Sequence, residues 1–523
     1  MRAKAGWGAG LLGGVAASGL LLPAASASAA PAPTPAPANP DEEARIARLE
    51  AAVAALQARV ERDATVEQEN TELKGEVETL QAQVADLKAS QVAEIREVRS
   101  AATAQPTVSL AKGRPTFTSA DGKFSASLRT VVQFDAAHYD VNPDTAANTL
   151  GSGSNFRRAR LGVDGKAFGD WNYSIWGEFG GSGGEAPGLN QAYIEYAGFH
   201  PFGKAATFRL RVGAWATPTG LEDATSNTDS LLLERPAVGE MVRGLSGGDG
   251  RTGFGGFLNG DKWYASAVVT GKVVGVPTVQ EFDQQQGYLL RAAVDPFSGL
   301  DFDTHLGVNV QGIIRPADTA AGPAVTESIR LRERPELRVD GNRLVNTGAI
   351  TADGLTAYGL EGGASWKSLY VAGEWYKIDV SRTAVGAAAS PFDPSFSGWY
   401  VQGSWALTGE RRVWSSANGG FRGPKVAKPL DLSNGQWGAW EVGLRYSVLN
   451  LNDRIGAPGA ATPFGGINGG RQTITSAGLN WYPNSVIRFL LDYQWTQVNR
   501  LSSTGVQVGE RERAVSLRSQ FAF

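Results

Sequence analysis

The sequence predicts an all-β fold: a sixteen-stranded antiparallel transmembrane β-barrel preceded by an N-terminal α-helical coiled coil. Three observations predict it. From about residue 120 to the end, segments of about ten residues alternate polar and apolar side chains, the period of a strand with two unlike faces. Their connections alternate between short turns and long loops, as in a barrel with one turn-bearing rim and one loop-bearing rim. Ahead of them, residues 41–100 switch to a heptad pattern. The 523 residues include 66 Gly, 14 Trp and no Cys. The lack of Cys excludes disulfide and thiolate chemistry without fixing a compartment. The 49 basic residues against 52 acidic ones, a net charge of −3, exclude a strongly basic nucleic-acid binder.

In chain order, Arg2 and Lys4 precede a small, apolar run over 8–22. Pro23 and Ala25-Ser26-Ala27, or Ala27-Ser28-Ala29, then complete a secretory signal over residues 1–30. A membrane anchor, the competing reading, needs roughly 20 apolar residues, more than this run supplies. Residues 31–40, PAPTPAPANP, form a stiff Pro/Ala spacer. In residues 41–100, Ile46, Leu49, Val53, Leu56 and Val60 occupy heptad a and d positions. After a phase break, Leu73, Val77, Leu80, Val84 and Leu87 resume the seam, and charges fill the other positions. The spacing predicts a self-associating coiled coil, against the alternative of a lone charged or disordered segment. Val at a with Leu at d favours two strands, so the copy number is not readable from the seam. Residues 101–119 read as a linker, and 120–523 as the barrel.

Sixteen candidate strands follow, near 124–136, 156–166, 171–180, 190–198, 207–215, 252–258, 262–271, 287–295, 304–312, 355–366, 369–378, 398–407, 439–449, 474–482, 486–498 and 512–523. The second and third make the clearest hairpin. Phe156, Arg158 and Arg160 share one phase; Arg157, Ala159, Leu161 and Val163 share the other. Across an Ala-Phe-Gly-Asp turn, Trp171, Tyr173, Ile175 and Phe179 oppose Asn172, Ser174 and Glu178. Apolar rows such as Phe124, Leu128, Val132 and Phe134, or Trp399, Val401, Trp405 and Leu407, suit a lipid-facing wall. A soluble sandwich would alternate too, but without so many outward Trp and Tyr on successive hairpins. The 408–438 connection is long where a short turn is due. It is either a structured loop on the turn-bearing rim or a slip in the count.

Charge bookkeeping places the barrel near neutrality. Residues 101–523 hold 39 basic and 38 acidic residues, with Arg well ahead of Lys. Arg129, Arg158, Arg160, Arg209, Arg211, Arg445 and Arg488 fall on the inward phase, as do Glu178, Glu361, Glu441 and Asp492. Inward Arg attracts anions and offers planar donors to carboxylate or phosphate. Alternatively, these Arg pair with the inward carboxylates and brace the wall. The connection after the fifth strand, TPTGLEDATSNTDSLLLERPAVGEMVRG from Thr217, sets Leu231, Leu232 and Leu233 within a polar loop. Such a loop can fold inward and narrow a sixteen-stranded channel. Its candidate constriction residues are Glu222, Asp223, Thr225, Ser226, Asp229, Glu234 and Arg235.

Four pieces carry a family resemblance: FRRARLGVDGKAFGDWNY, the GLEDATSNTD…LLERP loop, YVQGSWALTGE with WGAWEVGLRYSVLNLND, and GLNWYPNSVIRFLLDYQW. Together they resemble the phosphate-selective porin O and P family over about 124–523. The resemblance implies a trimeric outer-membrane channel, some members of which carry an N-terminal coiled coil. It implies that Arg129, the Arg157, Arg158 and Arg160 of FRRAR, Thr225 and Ser226 lie along an anion path. The sequence also departs from the family. This constriction loop has no Lys, and it carries Glu222, Asp223, Asp229, Glu234 and Glu240. A general or weakly selective channel for small hydrophilic or anionic solutes is therefore expected over a strict phosphate channel.

Two further classes compete. An outer-membrane enzyme would need a catalytic pattern, yet His138, His200 and His305 sit in none, and neither HExxH nor GxSxG occurs in a fitting context. A tether would use the coiled coil as its working part, on the periplasmic side and against peptidoglycan. The expected partners are two further copies of the chain, outer-membrane lipid and lipopolysaccharide, and permeating anions. No nucleic acid, cofactor or metal is expected.

Overall fold

The computed structural model describes residues 40–103, 105–143, 150–181, 187–274, 283–318, 327–383 and 392–523. The expected signal, and the spacer up to residue 39, lie outside them. Residues 1–98 and 99–523 form two separate units. In the first, α1 (Pro40–Thr103) is one unbroken 64-residue helix that runs straight through the heptad phase break. Its seam, from Ile46 and Leu49 to Val84 and Leu87, is exposed along its whole length.

The second unit is built from sixteen long strands. They are β1 (Ser125–Pro143), β2 (Gly153–Ala167), β3 (Trp171–Glu178), β4 (Gly188–Tyr196), β5 (Thr207–Trp215), β6 (Arg251–Asn259), β7 (Trp263–Val273) and β8 (Gln286–Val294). The others are β9 (Phe302–Arg315), β10 (Ile350–Trp366), β11 (Leu369–Arg382), β12 (Ser395–Ala406), β13 (Ala439–Asp453), β14 (Ile467–Tyr482), β15 (Ile487–Asn499) and β16 (Glu510–Ala522). Each pairs antiparallel with the next, and β16 pairs back onto β1 from Glu510↔Pro143 to Ala522↔Val131. Closure satisfies every strand edge within the wall. The outer face is apolar, with Phe134, Leu161, Ile175, Trp375, Trp405, Leu444 and Leu517 exposed.

Three expectations change. Several strands are longer at the loop-bearing rim: β1 runs to Pro143, β10 starts at Ile350 and β14 at Ile467. There Tyr139, Ile350, Ala352, Leu451 and Ile467 are buried in one inner apolar cluster, so the strands carry apolar residues inward as well as outward. The expected linker is also partly β structure. Thr107–Ser109 pairs with Thr116–Thr118, which pairs with Ser125–Ser127 at the start of β1.

The third change is in β2. Gln133 pairs with Arg158 but Phe134 pairs with Phe156, so Arg157 is the extra residue of a β-bulge. Phe156 points outward at 54% exposure, whereas Arg157 and Arg158 are both buried inside at 6% and 3%. The expected sharing of one face by Phe156 and Arg158, with Arg157 opposite, is thereby corrected. A bulge frees a ladder N–H that must find another partner. The Glu178 carboxylate supplies it, accepting from Ala159 N at 2.8 Å and Gly180 N at 3.1 Å.

Candidate functional site

The lumen is narrowed from both rims. From the loop-bearing rim, the β5–β6 connection (L3, residues 216–250) enters with two helices, α2 (Leu221–Ala224) and α3 (Ala237–Ser246). Its apolar side chains seat over inward glycines of the wall. A Cβ on Gly443 would lie 2.7 Å from Leu231, one on Gly478 2.5 Å from Leu232, and one on Gly398 2.6 Å from Val238. Carboxylates receive its backbone N–H groups. Glu374 accepts from Leu221 N at 2.7 Å and Glu222 N at 3.1 Å, and also from the Tyr376 and Tyr400 hydroxyls. Asp492 accepts from Leu233 N at 2.7 Å, and Glu336 from Ala237 N at 2.9 Å. Wall arginines take its carbonyls. Arg488 donates to Thr228 O and Ser230 O, Arg445 to Glu234 O, and Arg518 to Leu233 O. Buried polar groups of the loop are thus matched to the wall on both donor and acceptor sides.

The β9–β10 connection (L5, described over 316–318 and 327–349) enters from the same rim, and Leu331, Leu337, Leu344 and Val345 join α3 in the inner apolar cluster. Between L3, L5 and β1–β2 runs a continuous ion-pair network. Glu234 is its hub: Arg157 lies at 2.9 Å, Arg518 at 2.6 Å, and Arg158 and Arg338 at 3.7 Å. Arg518 also binds Asp135, and Arg338 reaches Glu240 at 3.0 Å. Arg243 spans Asp223 and Asp249, and Arg160 spans Asp249 and Glu178. Burial alone would raise the Glu234 carboxyl, but Arg157, Arg158, Arg518 and Arg338 hold it well below the usual carboxylate range. Against the same opposing burial, Arg338, Arg243 and Arg235 lower Glu240 to about 2.

From the opposite rim, the 407–438 connection (T6) folds inward, which settles the long turn in favour of a structured loop. Arg291 donates to Asn418 O at 2.7 Å and Gly419 O at 2.6 Å, and Arg209 to Ala417 O at 3.0 Å. Arg412 pairs with Glu441 at 2.7 Å and donates to Asp229 O. Asn418 donates to Ala224 O, so the insertions from the two rims meet. Trp414 and Phe421 pack with Leu221, Tyr370 and Ala372.

The expected site residues divide accordingly. Glu178, Arg157, Arg158, Arg160, Glu234, Arg235 and Asp223 come together in the network. Glu222 is buried between Gln402 and Arg445, and Thr225 is buried with its hydroxyl on Leu221 O. Arg445 and Arg488 face inward but engage L3. Ser226 is exposed and Asp229 partly so. Lumen-facing groups that retain exposure include Arg129 and Asp164, paired at 3.3 Å with 27% and 32% exposed side chains, Arg209, Arg211 and Asp249. Arg211 pairs with Glu195 at 2.6 Å and lies 4.1 Å above the Tyr193 ring. Sequence reasoning missed Arg291 and Asp135, although both sit on alternating strands where phase could have found them, and it put Arg518 on the inward face of the last strand without giving it a site role. It also missed Arg338, Glu336 and Arg412, for which connecting segments give no phase.

A closed barrel with an apolar, aromatic outer wall and a charged lumen narrowed by inserted loops is a porin of the bacterial outer membrane. No helix among the described residues is long and apolar enough to cross a membrane. The sequence model of the family described as phosphate-selective porin O and P matches residues 125–523, and the chain belongs to that family. An uncharacterised protein of Caulobacter vibrioides is 26% identical over 431 residues, 79% of this chain and 76% of the relative. Porin O of Pseudomonas aeruginosa is 25% identical over 414 residues, 75% of this chain and 87% of its own. Among solved structures, an anion-selective porin from Comamonas acidovorans aligns with a TM-score of 0.42 at 14% identity, over 76% of this chain and 100% of that one.

Proposed function

We propose that this porin is a passive diffusion channel for small hydrophilic solutes with a weak preference for anions, and not an enzyme or a strict phosphate channel. The carrying observation is the near balance of charge at the constriction: each network arginine lies beside a carboxylate of L3, L5 or the wall. The solute route runs on the side where side chains keep exposure, between L3 and the wall of β1–β5, past Arg129, Arg209 and Arg211. The rim bearing T6 and the barrel ends faces the periplasm.

In planar bilayers under a KCl gradient, the expected reversal potential is slightly anion-selective at low salt. It fades as the screening length falls from about 10 Å at 0.1 M to about 3 Å at 1 M. Replacing Arg129, Arg209 and Arg211 together by Ala should move it toward cations. An unchanged potential would place the route elsewhere.

The exposed seam of α1 supports a second part of the reading: the chain is a homotrimer, with α1 a periplasmic coiled coil that can reach peptidoglycan. Native mass spectrometry in mild detergent should give three copies per particle. Deleting 41–100 should weaken that assembly, and a monomeric full-length chain would refute it.

A further inference from the structure

We propose that His305 and Trp414 form a proton-sensitive latch that positions the T6 insertion in the lumen. The proposal rests on the reading of the lumen as a conducting path. His305 is on β9 and its side chain is fully buried. The Trp414 indole N–H lies 3.0 Å from His305 Nδ1, and His305 Nε2 lies 3.0 Å from Glu361 Oε2. An indole nitrogen can only donate. Nδ1 is therefore the bare nitrogen, and Nε2 carries the hydrogen given to Glu361. Neutral imidazole satisfies both neighbours at once.

A proton added at Nδ1 sets two donors against each other at 3.0 Å in a site closed to water. The Trp414 hydrogen bond is lost and a buried donor is left without an acceptor. The surroundings do not absorb the new charge. Glu361 is already matched by Arg291 of β8, at 2.7 Å, and Arg291 would then share one carboxylate with a second cation. Asp303 on β9 is held by Arg411 at 3.1 Å, and Arg412 of T6 lies over Tyr370 of β11. Glu374, also on β11, is taken up by L3 and two tyrosines. Relief comes from withdrawal of the indole. Trp414 keeps its backbone bond to Asp303, at 3.1 Å, and its pairing with Phe421, but the indole no longer has a hydrogen bond to the wall, so it turns out of its seat and the lumen widens there.

The test is single-channel conductance of the full-length protein between pH 8 and pH 5. The wild type is expected to step up in conductance on acidification. His305→Gln can accept from the indole with its oxygen and donate to Glu361 with its nitrogen, so it should conduct as the wild type does at pH 8 and lose the step. Trp414→Phe should conduct at pH 8 as the acidified wild type does, again without a step. His138→Asn and His200→Asn should keep it. A conducting wild type without a step, or a step that survives in His305→Gln, overturns the latch. Failure of the wild type to conduct at any pH overturns the channel reading instead.

Discussion

Replacing Glu234 by Ala is expected to turn weak anion preference into strong anion preference and to make the open-channel current noisy. Glu234 is the one carboxylate within 4 Å of Arg157, Arg158, Arg338 and Arg518 together. Its loss leaves Arg518 with Asp135, but it takes from Arg158 the carboxylate that the described ion pairs give it. Removing one partner of a buried ion pair costs about 3–5 kcal/mol, because the remaining charge stays buried without compensation. The loop can escape that cost only by admitting water and anions. The reversal potential and current variance report both effects. The acid limit follows with a definite sign. A carboxyl held low in the folded state adds stability above its unfolded pKa, near 4.3. That stability disappears only as pH falls through the folded value, about 2 for Glu240. The Glu240 pairs with Arg243 and Arg338 should therefore persist at pH 4, and their loss by pH 5 would contradict the network.

Gly443→Leu and Gly478→Leu are expected to expel L3 and enlarge the conductance while leaving the barrel closed. A side chain at either position meets Leu231 or Leu232 well inside contact distance. Overpacking a filled core typically costs about 1–3 kcal/mol, and a loop is free to move where a closed wall is not. Gly362 provides the control, since a Cβ there meets nothing within 4 Å. Gly362→Leu should conduct like the wild type, and equal conductance in all three variants would mean that L3 does not seat over these glycines.

The sixteen strands were legible because a two-faced wall imposes period two on nearly every strand, and the inward arginines were legible from the same phase. Insertion of the loops was only half legible. Leu231–Leu233 marked L3 as able to pack, but the partners that seat it, such as Arg488 for Thr228 or Glu336 for Ala237, are remote in sequence and share no period with it. T6 was visible only as a misplaced length. The apolar inner cluster was not expected, because alternation alone suggests a wet lumen all the way to the rim. The bulge in β2 left a trace that could have been read. Under unbroken alternation the outward Phe156 and Leu161 would lie on opposite faces, which a lipid-facing strand does not allow.

That bulge also loosens a rule of barrel evolution. In a regular strand each residue given to the pore obliges its neighbour to face the membrane, so pore chemistry and membrane fit must change together. At Arg157 the chain carries one residue outside that exchange. Gain or loss of a single codon there would add or remove a pore charge while every lipid-facing side chain of β2 kept its place. The local variable available to selection is then the length of the strand, ahead of the identity of any residue in it.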